Sequence, residues 1–103
     1  MTMSMQKVFH KKNPVCKVIF KLNKEVASSA EQVNLVGDFN NWDKENIRMK
    51  KIKTGGFSIA INLDIEKEYE FKYLIDKSIW LNEAEADKQV SNEFHGTNSV
   101  VTV

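Results

Sequence analysis

The sequence contains little that would support a disulfide-bonded or membrane-spanning protein. Cys16 is the only cysteine among 103 residues, so no disulfide can form within the chain and a thiolate zinc cluster is excluded. The first fifteen residues, MTMSMQKVFHKKNPV, contain no apolar run long enough for a signal peptide or a membrane span. These absences favour a reducing, cytoplasmic environment and predict no membrane partner.

An excess of basic residues is also missing. Fifteen Lys and Arg against fourteen Asp and Glu give a net charge of +1. A surface that binds nucleic acid by neutralising phosphates requires a basic excess. We interpret local runs such as Lys50, Lys51 and Lys53 as solvated strand faces or turns, and we predict no nucleic-acid partner.

Catalytic and metal-binding motifs are absent as well. His10 and His95 stand far apart, without a cysteine or acidic motif near either, which gives no support to a zinc site or a catalytic triad. No glycine-rich phosphate loop opens a helix, and the DFNNWD turn lacks the glycine and glutamate of a calcium-binding loop. The alternating acids Glu83, Glu85 and Asp87 are interpreted as a solvated loop rather than a glycosidase pair. We predict no cofactor, no metal and no enzymatic activity.

Alternation of apolar and polar residues with a period of two dominates the chain and predicts β-strands. The apolar rows expected to face the interior are Cys16, Val18, Phe20 and Leu22; Val33 and Leu35; Phe57, Ile59, Ile61 and Leu63; Tyr69, Phe71, Tyr73 and Ile75; and Val101 with Val103. The Gly55-Gly56 doublet predicts a hairpin between IRMKKI and the strand beginning at Phe57. NKEVASSAEQ is expected to be a loop with at most one helical turn.

Six or seven short strands at regular spacing predict one all-β domain, an antiparallel β-sandwich. Residues 1–12 are expected to form a flexible arm, and residues 13–103 the sandwich. Pro14 marks the entry into the first strand.

Both tryptophans fall in turn-rich segments outside the regular alternation. Trp42 ends the segment LVGDFNNW, and Trp80 follows a turn at residues 76–78. Their rings either close the ends of the sandwich or lie exposed beside Lys72, whose position opposite Phe71 and Tyr73 requires it to reach solvent. Exposed aromatic rings can stack on the C–H face of a sugar, while amides and ammonium groups bind its hydroxyls. Residue spacing alone leaves both interpretations open.

Four segments resemble the family-48 carbohydrate-binding modules: VNLVGDFNNWD, YEFKYLID, IWLNEAEADKQV and FHGTNSVVTV. This family includes the glycogen-binding domain of the AMP-activated protein kinase β subunit and the early-set domains of isoamylases and branching enzymes. The similarity covers roughly Pro14 to Val103. It implies an immunoglobulin-like β-sandwich of the early-set type, present here as a stand-alone module.

The resemblance also implies a set of carbohydrate-binding residues. The tryptophan of the G-x-F-N-x-W turn and the second stacking tryptophan correspond to Trp42 and Trp80, and the lysine of Y-x-F-K corresponds to Lys72. Asn98 matches an asparagine that binds glucose hydroxyls, and Phe94 and Thr97 are further candidates from the preceding loop. The chain departs from the family at Asp76-Lys77, where Asp-Gly is common, so the turn before Trp80 is expected to differ in shape.

The sequence thus predicts non-catalytic binding of α-1,4-linked glucan, such as glycogen, starch or maltooligosaccharides. A glycogen-metabolising enzyme is a further candidate partner. The alternative is a protein-interaction or regulatory module that docks on a carbohydrate-active enzyme and has lost sugar binding.

Overall fold

The part of the chain that the structure describes contains nine β-strands, which include the predicted period-two segments. A computed structural model describes residues 5–9, 12–27, 29–53, 55–93 and 96–103. The strands are β1 (Met5–Phe9), β2 (Val15–Leu22), β3 (Val33–Gly37), β4 (Lys50–Lys51), β5 (Phe57–Asp64), β6 (Glu68–Ile75), β7 (Ile79–Leu81), β8 (Lys88–Ser91) and β9 (Thr97–Thr102).

Helical structure is limited to short segments. Helix α1 (Lys24–Ala27) has four residues and follows β2, and a 3-10 turn (Asp38–Asn40) follows β3. Helix α1 therefore confirms the single helical turn predicted within NKEVASSAEQ. Among the described residues, no helix has the length and apolar character needed to cross a membrane.

Two antiparallel sheets pack face to face. The first has the strand order β1-β2-β5-β4 and the second β3-β6-β9-β8, with β7 paired to the end of β6. The longest pairing joins β2 to β5 without interruption from Val15↔Asp64 to Leu22↔Phe57. Strand β6 is central, because it pairs with β3, β7 and β9. The predicted all-β antiparallel sandwich is confirmed.

Most residues of the predicted apolar rows lie in the core between the sheets, together with Met5, Ala30 and Met49. From those rows, the residues that are only partly buried against the core are Ile59, Ile61, Tyr69 and Val103. Phe20 on β2 and Phe71 on β6 are fully buried, and their ring centroids lie 5.0 Å apart in an edge-to-face arrangement. Such pairs contribute about 0.5–1.5 kcal/mol beyond the area that they bury. The contact joins the two sheets and fixes β6, whose opposite face carries the site described below.

The predicted hairpin at the glycine doublet is present. Lys50–Lys51 pairs with the beginning of β5, and Gly55 and Gly56 have φ values of 105° and 86°. These values lie in the region that favours glycine. A Cβ atom on Gly56 would also collide with the carbonyl oxygen of Leu22, so this turn requires glycine.

Part of the segment expected to be a flexible arm forms strand β1 instead. Met5–Phe9 pairs with β2 from Met5↔Phe20 to Phe9↔Cys16, and Met5 is buried. The Nζ atom of Lys7 lies 2.8 Å from Oδ2 of Asp87. The segment MQKVF shows no period-two pattern, so its sequence did not predict a strand. Backbone pairing and a single well-buried side chain hold this edge strand, and neither is visible in the sequence.

The acidic segment expected to be solvated contains one buried carboxylate. Glu83 is 1% exposed; its Oε1 accepts the Tyr73 hydroxyl at 2.7 Å and its Oε2 accepts the Glu85 N–H at 2.8 Å. Burial, followed by the charge of Glu83, raises the pKa of Tyr73 well above its usual value. The solvated interpretation is wrong for Glu83, because hydrogen bonds to both oxygens allow a carboxylate to be buried. Glu85 and Asp87 are exposed as expected.

Candidate functional site

The outer face of the second sheet carries several of the residues singled out in the sequence. Along β6 the side chains alternate, so Glu70 and Lys72 point away from the core that contains Phe71. Trp80 pairs with Leu74 and therefore shares this outer face. The register Glu70↔Val100 also places Asn98, two residues before Val100, on the outer face of β9.

A sharp turn after β3 brings Trp42 to the same face. The turn begins at Gly37, where a Cβ atom would lie 2.5 Å from the carbonyl oxygen of Glu70 and 2.7 Å from Cβ of Phe71. Only glycine fits this close approach of β3 to β6. The Asn40 side chain holds the turn by accepting the Gly37 N–H at 3.0 Å and donating to the Leu35 carbonyl at 3.2 Å.

The two aromatic residues of this turn point in different directions. Phe39 packs on the core, with its ring centroid 6.2 Å from Phe20 and 6.4 Å from Phe71. Trp42 is half-buried and has a φ of 57°, a left-handed conformation that is uncommon for a bulky residue. Its backbone N–H donates to the Gly37 carbonyl at 2.9 Å, which holds this conformation. Phe39 therefore anchors the turn, and Trp42 is the residue that it presents.

Asp38 connects the Trp42 turn to β6. Its Oδ1 accepts the indole N–H of Trp42 at 2.9 Å, and its Oδ2 accepts the backbone N–H of Glu70 at 2.7 Å. Aspartate in a turn commonly bonds backbone groups within one or two residues of itself. The structure shows a longer reach, since Glu70 lies 32 positions further along the chain.

These elements surround a groove of about 830 Å³ on the outer face. Its lining residues are Asp38, Trp42, Lys44, Glu70, Lys72, Trp80, Ser91, Asn92, Glu93 and Asn98. The volume lies within the range of sites that bind small molecules. The groove brings together Trp42, Trp80, Lys72 and Asn98, four of the six residues predicted from the sequence.

The other two predicted residues have different positions. Thr97 is exposed and does not line the groove, but its carbonyl oxygen accepts the Lys72 ammonium at 2.9 Å. Its hydroxyl accepts the side-chain amide of Asn82 at 2.8 Å. Phe94 lies outside the described residues.

The amide of Asn98 is fixed at both ends. Its Nδ2 donates to Oε1 of Glu70 at 3.1 Å, and its Oδ1 accepts from Nδ2 of Asn92 at 3.1 Å. Asn92 in turn accepts the N–H of Gly96 at 3.0 Å. Because an amide can form four hydrogen bonds, Asn98 retains one donor and further acceptor capacity in the groove.

Trp80 is the most exposed aromatic ring in the groove. It is 41% exposed, and the Nζ atom of Lys44 lies 5.9 Å from its ring centroid, within the range of a cation–π contact. Lys44 comes from the turn that carries Trp42, so this contact joins the two tryptophan-bearing segments.

A second layer of apolar side chains lies on the outer face. Val36, Leu74 and Val100 are at most 2% exposed, yet none belongs to the core between the sheets. Val36 pairs with Lys72 in register. Leu74 pairs with Trp80. Neighbouring groups on the outer face therefore bury these residues, and none of the three lines the groove itself.

Sequence reasoning missed several lining residues, above all Lys44 and Glu70. Glu70 had a usable signal, since the period of two places it on the same face as Lys72. Lys44 had none, because its approach to Trp80 depends on how two separate turns fold.

The turn before Trp80 keeps the shape expected of an Asp-Gly sequence. Asp76 and Lys77 have φ values of 50° and 62°, and the Ser78 N–H donates to the Ile75 carbonyl at 3.0 Å. Two consecutive left-handed residues are typical of a type I′ turn. The departure from the family pattern thus replaces glycine with lysine and retains the left-handed backbone.

The chain matches the family model of carbohydrate-binding module 48, described as the isoamylase N-terminal domain, over residues 17–91. The match covers well over half of the sequence and includes Trp42, Lys72 and Trp80, while Asn98 follows it. The immunoglobulin-like antiparallel sandwich agrees with the fold of that family. The chain therefore belongs to carbohydrate-binding module family 48.

Proposed function

We propose that this module binds α-1,4-linked glucan, such as glycogen, starch or a maltooligosaccharide, without catalysing a reaction on it. The observation that carries the proposal is the arrangement of the groove, where Trp42 and Trp80 lie together with Lys72 and Asn98. The resemblance of these residues to those of glycogen-binding domains favours an α-glucan over other carbohydrates.

The tryptophan rings provide the apolar part of the binding surface. A glucose ring that stacks on Trp80 removes C–H groups and indole surface from water together. The indole N–H of Trp42 is already bound to Asp38, so a sugar can cover this ring without leaving a polar group unpaired. Successive glucose units of one chain would occupy the two rings.

Lys72 and Asn98 provide the polar part. An ammonium group has three donors, of which Lys72 uses one on the Thr97 carbonyl, leaving two for sugar hydroxyls. Asn98, fixed by Glu70 and Asn92, offers a donor and an acceptor in a set orientation. Because these groups are held before the ligand arrives, little side-chain entropy is lost on binding.

Titration of the tryptophan fluorescence with maltoheptaose tests this function directly. We expect a saturable change with a dissociation constant between roughly micromolar and millimolar, corresponding to about 4–8 kcal/mol. Cellohexaose is the control of similar size, and we expect it to produce no comparable change. A wild-type protein that gives no response up to tens of millimolar maltoheptaose would contradict the proposal.

One observation favours the alternative of a protein-docking surface. Ile79 is 58% exposed and Trp80 is 41% exposed, so the short strand β7 presents one large apolar side chain on each of its faces. A protein that docks there would cover Trp80. Light scattering of the purified chain, and of mixtures with a candidate carbohydrate-active enzyme, would then show a stable complex that maltoheptaose does not affect.

A further inference from the structure

Glu70 lies where the two halves of the groove are joined. Its backbone N–H donates to Asp38, which holds the indole of Trp42, and its side-chain Oε1 accepts the amide of Asn98. It is half-buried on the outer face of β6, two residues before Lys72. A single residue thus contacts both the turn that presents Trp42 and the amide on β9.

The second carboxylate oxygen of Glu70, Oε2, accepts no hydrogen bond from the residues that the structure describes. Within the described residues, hydrogen bonds to the Glu70 side chain reach only Oε1, and no ion pair joins Glu70 to a lysine. A carboxylate has about four lone-pair sites, and the bond from Asn98 occupies one of them. Glu70 therefore keeps most of its acceptor capacity inside the groove.

The groove needs an acceptor of this kind. A sugar hydroxyl donates as well as accepts, but the ammonium of Lys72 only donates. Each oxygen of Asp38 already accepts one hydrogen bond, from the Trp42 indole and from the Glu70 backbone, whereas Oε2 of Glu70 accepts none from the described residues. Asn98 offers a neutral acceptor, whereas a hydrogen bond to an ionised carboxylate is about twice as strong as a neutral one.

We propose that Glu70 is a sugar-contacting residue, whose Oε2 accepts a hydrogen bond from a hydroxyl of the glucose unit that Asn98 also contacts. This inference rests on the proposed function and names one carboxylate acceptor among the residues that line its site. The site would therefore require a free sugar hydroxyl beside Asn98. A sugar without that hydroxyl would leave Oε2 of Glu70 desolvated and without a hydrogen-bond donor.

A double-mutant cycle with Asn98 separates direct contact from an effect through Asn98. Maltoheptaose affinity is measured by calorimetry for wild type, Glu70→Ala, Asn98→Ala and the double variant. We expect Glu70→Ala to weaken binding by about tenfold. In the Asn98→Ala background we expect the Glu70 substitution to weaken it by a further threefold or more, about 0.7 kcal/mol. No further loss in that background would show that Glu70 only positions Asn98 and would overturn the proposal.

Glu68→Ala is the matched control for charge and for strand. Glu68 lies two residues before Glu70 on the same face of β6, pairs with Lys88 at 2.6 Å and does not line the groove. We expect its affinity for maltoheptaose to equal that of wild type. An equal loss in Glu68→Ala and Glu70→Ala would point to the general charge of the face and would also overturn the proposal.

Glu70→Gln guards against a simple loss of structure. The glutamine keeps an oxygen for the Asn98 amide but replaces the second oxygen with an NH₂ group. We expect an unchanged unfolding midpoint and a loss of affinity between those of wild type and Glu70→Ala. Wild-type affinity in Glu70→Gln would count against a contact through Oε2.

The two proposals fail in different ways. If wild type does not bind maltoheptaose, the proposed function fails and this inference fails with it. If wild type binds and the Glu70 substitutions act only in the presence of Asn98, the function stands and the sugar contact of Glu70 is refuted.

Discussion

The two faces of β6 show how one strand can serve stability on one side and recognition on the other. On the inner face, Phe71 and Tyr73 are fully buried and pack edge to face, with centroids 5.9 Å apart. On the outer face, Glu70 and Lys72 stay half-buried and reach hydrogen-bond partners on other segments. The inner face stabilises the fold by removing apolar surface from water. The outer face keeps polar groups accessible and fixes their orientation.

The two faces differ in how much hydrogen-bonding capacity their side chains have left after bonding within the protein. The hydroxyl of Tyr73 donates to Glu83, and both oxygens of that carboxylate are bound within the protein. Lys72 uses one donor and Asn98 uses one donor and one acceptor site on protein partners, and both side chains keep further hydrogen-bonding capacity. Substitutions on the inner face should therefore change stability, and those on the outer face should change binding.

Phe71→Ala should have the largest effect and should break the inner face. The lost ring leaves a cavity between the sheets, which costs about 3–5 kcal/mol of unfolding free energy. Urea unfolding followed by tryptophan fluorescence measures the loss. Phe9→Ala is the control, because Phe9 is 59% exposed and its removal should change stability by less than about 0.5 kcal/mol. Equal effects of the two substitutions would contradict the assignment of Phe71 to the core.

Tyr73→Phe should cost about 1–3 kcal/mol, since it leaves the buried carboxylate of Glu83 without its hydroxyl donor. Burial raises the pKa of Tyr73 in the folded state, so its neutral form is favoured there. An unfolded tyrosine loses its proton near pH 10, so the stability linked to Tyr73 is complete below about pH 10 and falls as the pH rises further.

Urea unfolding at about pH 9 and pH 11 tests that pH dependence, since Tyr73→Phe should lose less stability over this interval than wild type. Tyr69→Phe is the control, because the Tyr69 hydroxyl donates to a backbone carbonyl, that of Asp64, at an exposed position. It should cost less than about 1 kcal/mol. A wild-type pH profile identical to that of Tyr73→Phe would refute the role assigned to this hydroxyl.

Trp80→Ala should break the outer face alone. We expect maltoheptaose binding to weaken by at least about 1 kcal/mol, because a stacking surface is removed, while unfolding free energy changes by less. Ile79→Ala is the control, since Ile79 is exposed in the same strand but does not line the groove, and it should bind as wild type does. A large loss of stability in Trp80→Ala, with unchanged affinity, would show that the ring supports the fold instead.

Lys77→Gly should have the smallest effect and should sharpen the comparison. Lys77 has a φ of 62°, which costs a side-chain-bearing residue about 1 kcal/mol relative to glycine. Thermal unfolding should show a gain of about 0.5–1 kcal/mol, with maltoheptaose affinity unchanged because the β6–β7 register still places Trp80. Ser78→Gly, at a position without positive φ, should give no such gain.

The sequence was most informative where burial depends on local alternation. The rows on β2 and β6 were predicted because apolar residues recur at every second position, with a lysine or glutamate between most of them, a pattern set by strand geometry. The glycine doublet before β5 likewise predicted the turn in which it lies. The grouping of Trp42, Trp80, Lys72 and Asn98 came from a family resemblance, and the structure places all four around one groove.

The features that the sequence did not reveal depend on contacts between distant segments. The burial of Glu83 requires Tyr73, and the second bond of Asp38 requires a backbone N–H on β6. Strand β1 is visible only through its pairing with β2. None of these contacts leaves a periodic apolar signal in the sequence, because each depends on a partner from a distant segment.

Gly37 has a consequence for the dimensions of the groove. The missing Cβ atom lets the backbone of β3 approach Glu70, and the turn that presents Trp42 begins at the same glycine. The distance between the Trp42 turn and strand β6 thus depends on the close contact of their main chains. An alanine at position 37 would push the two segments apart. The width of the groove that a ligand has to span therefore depends on the absence of a side chain at Gly37.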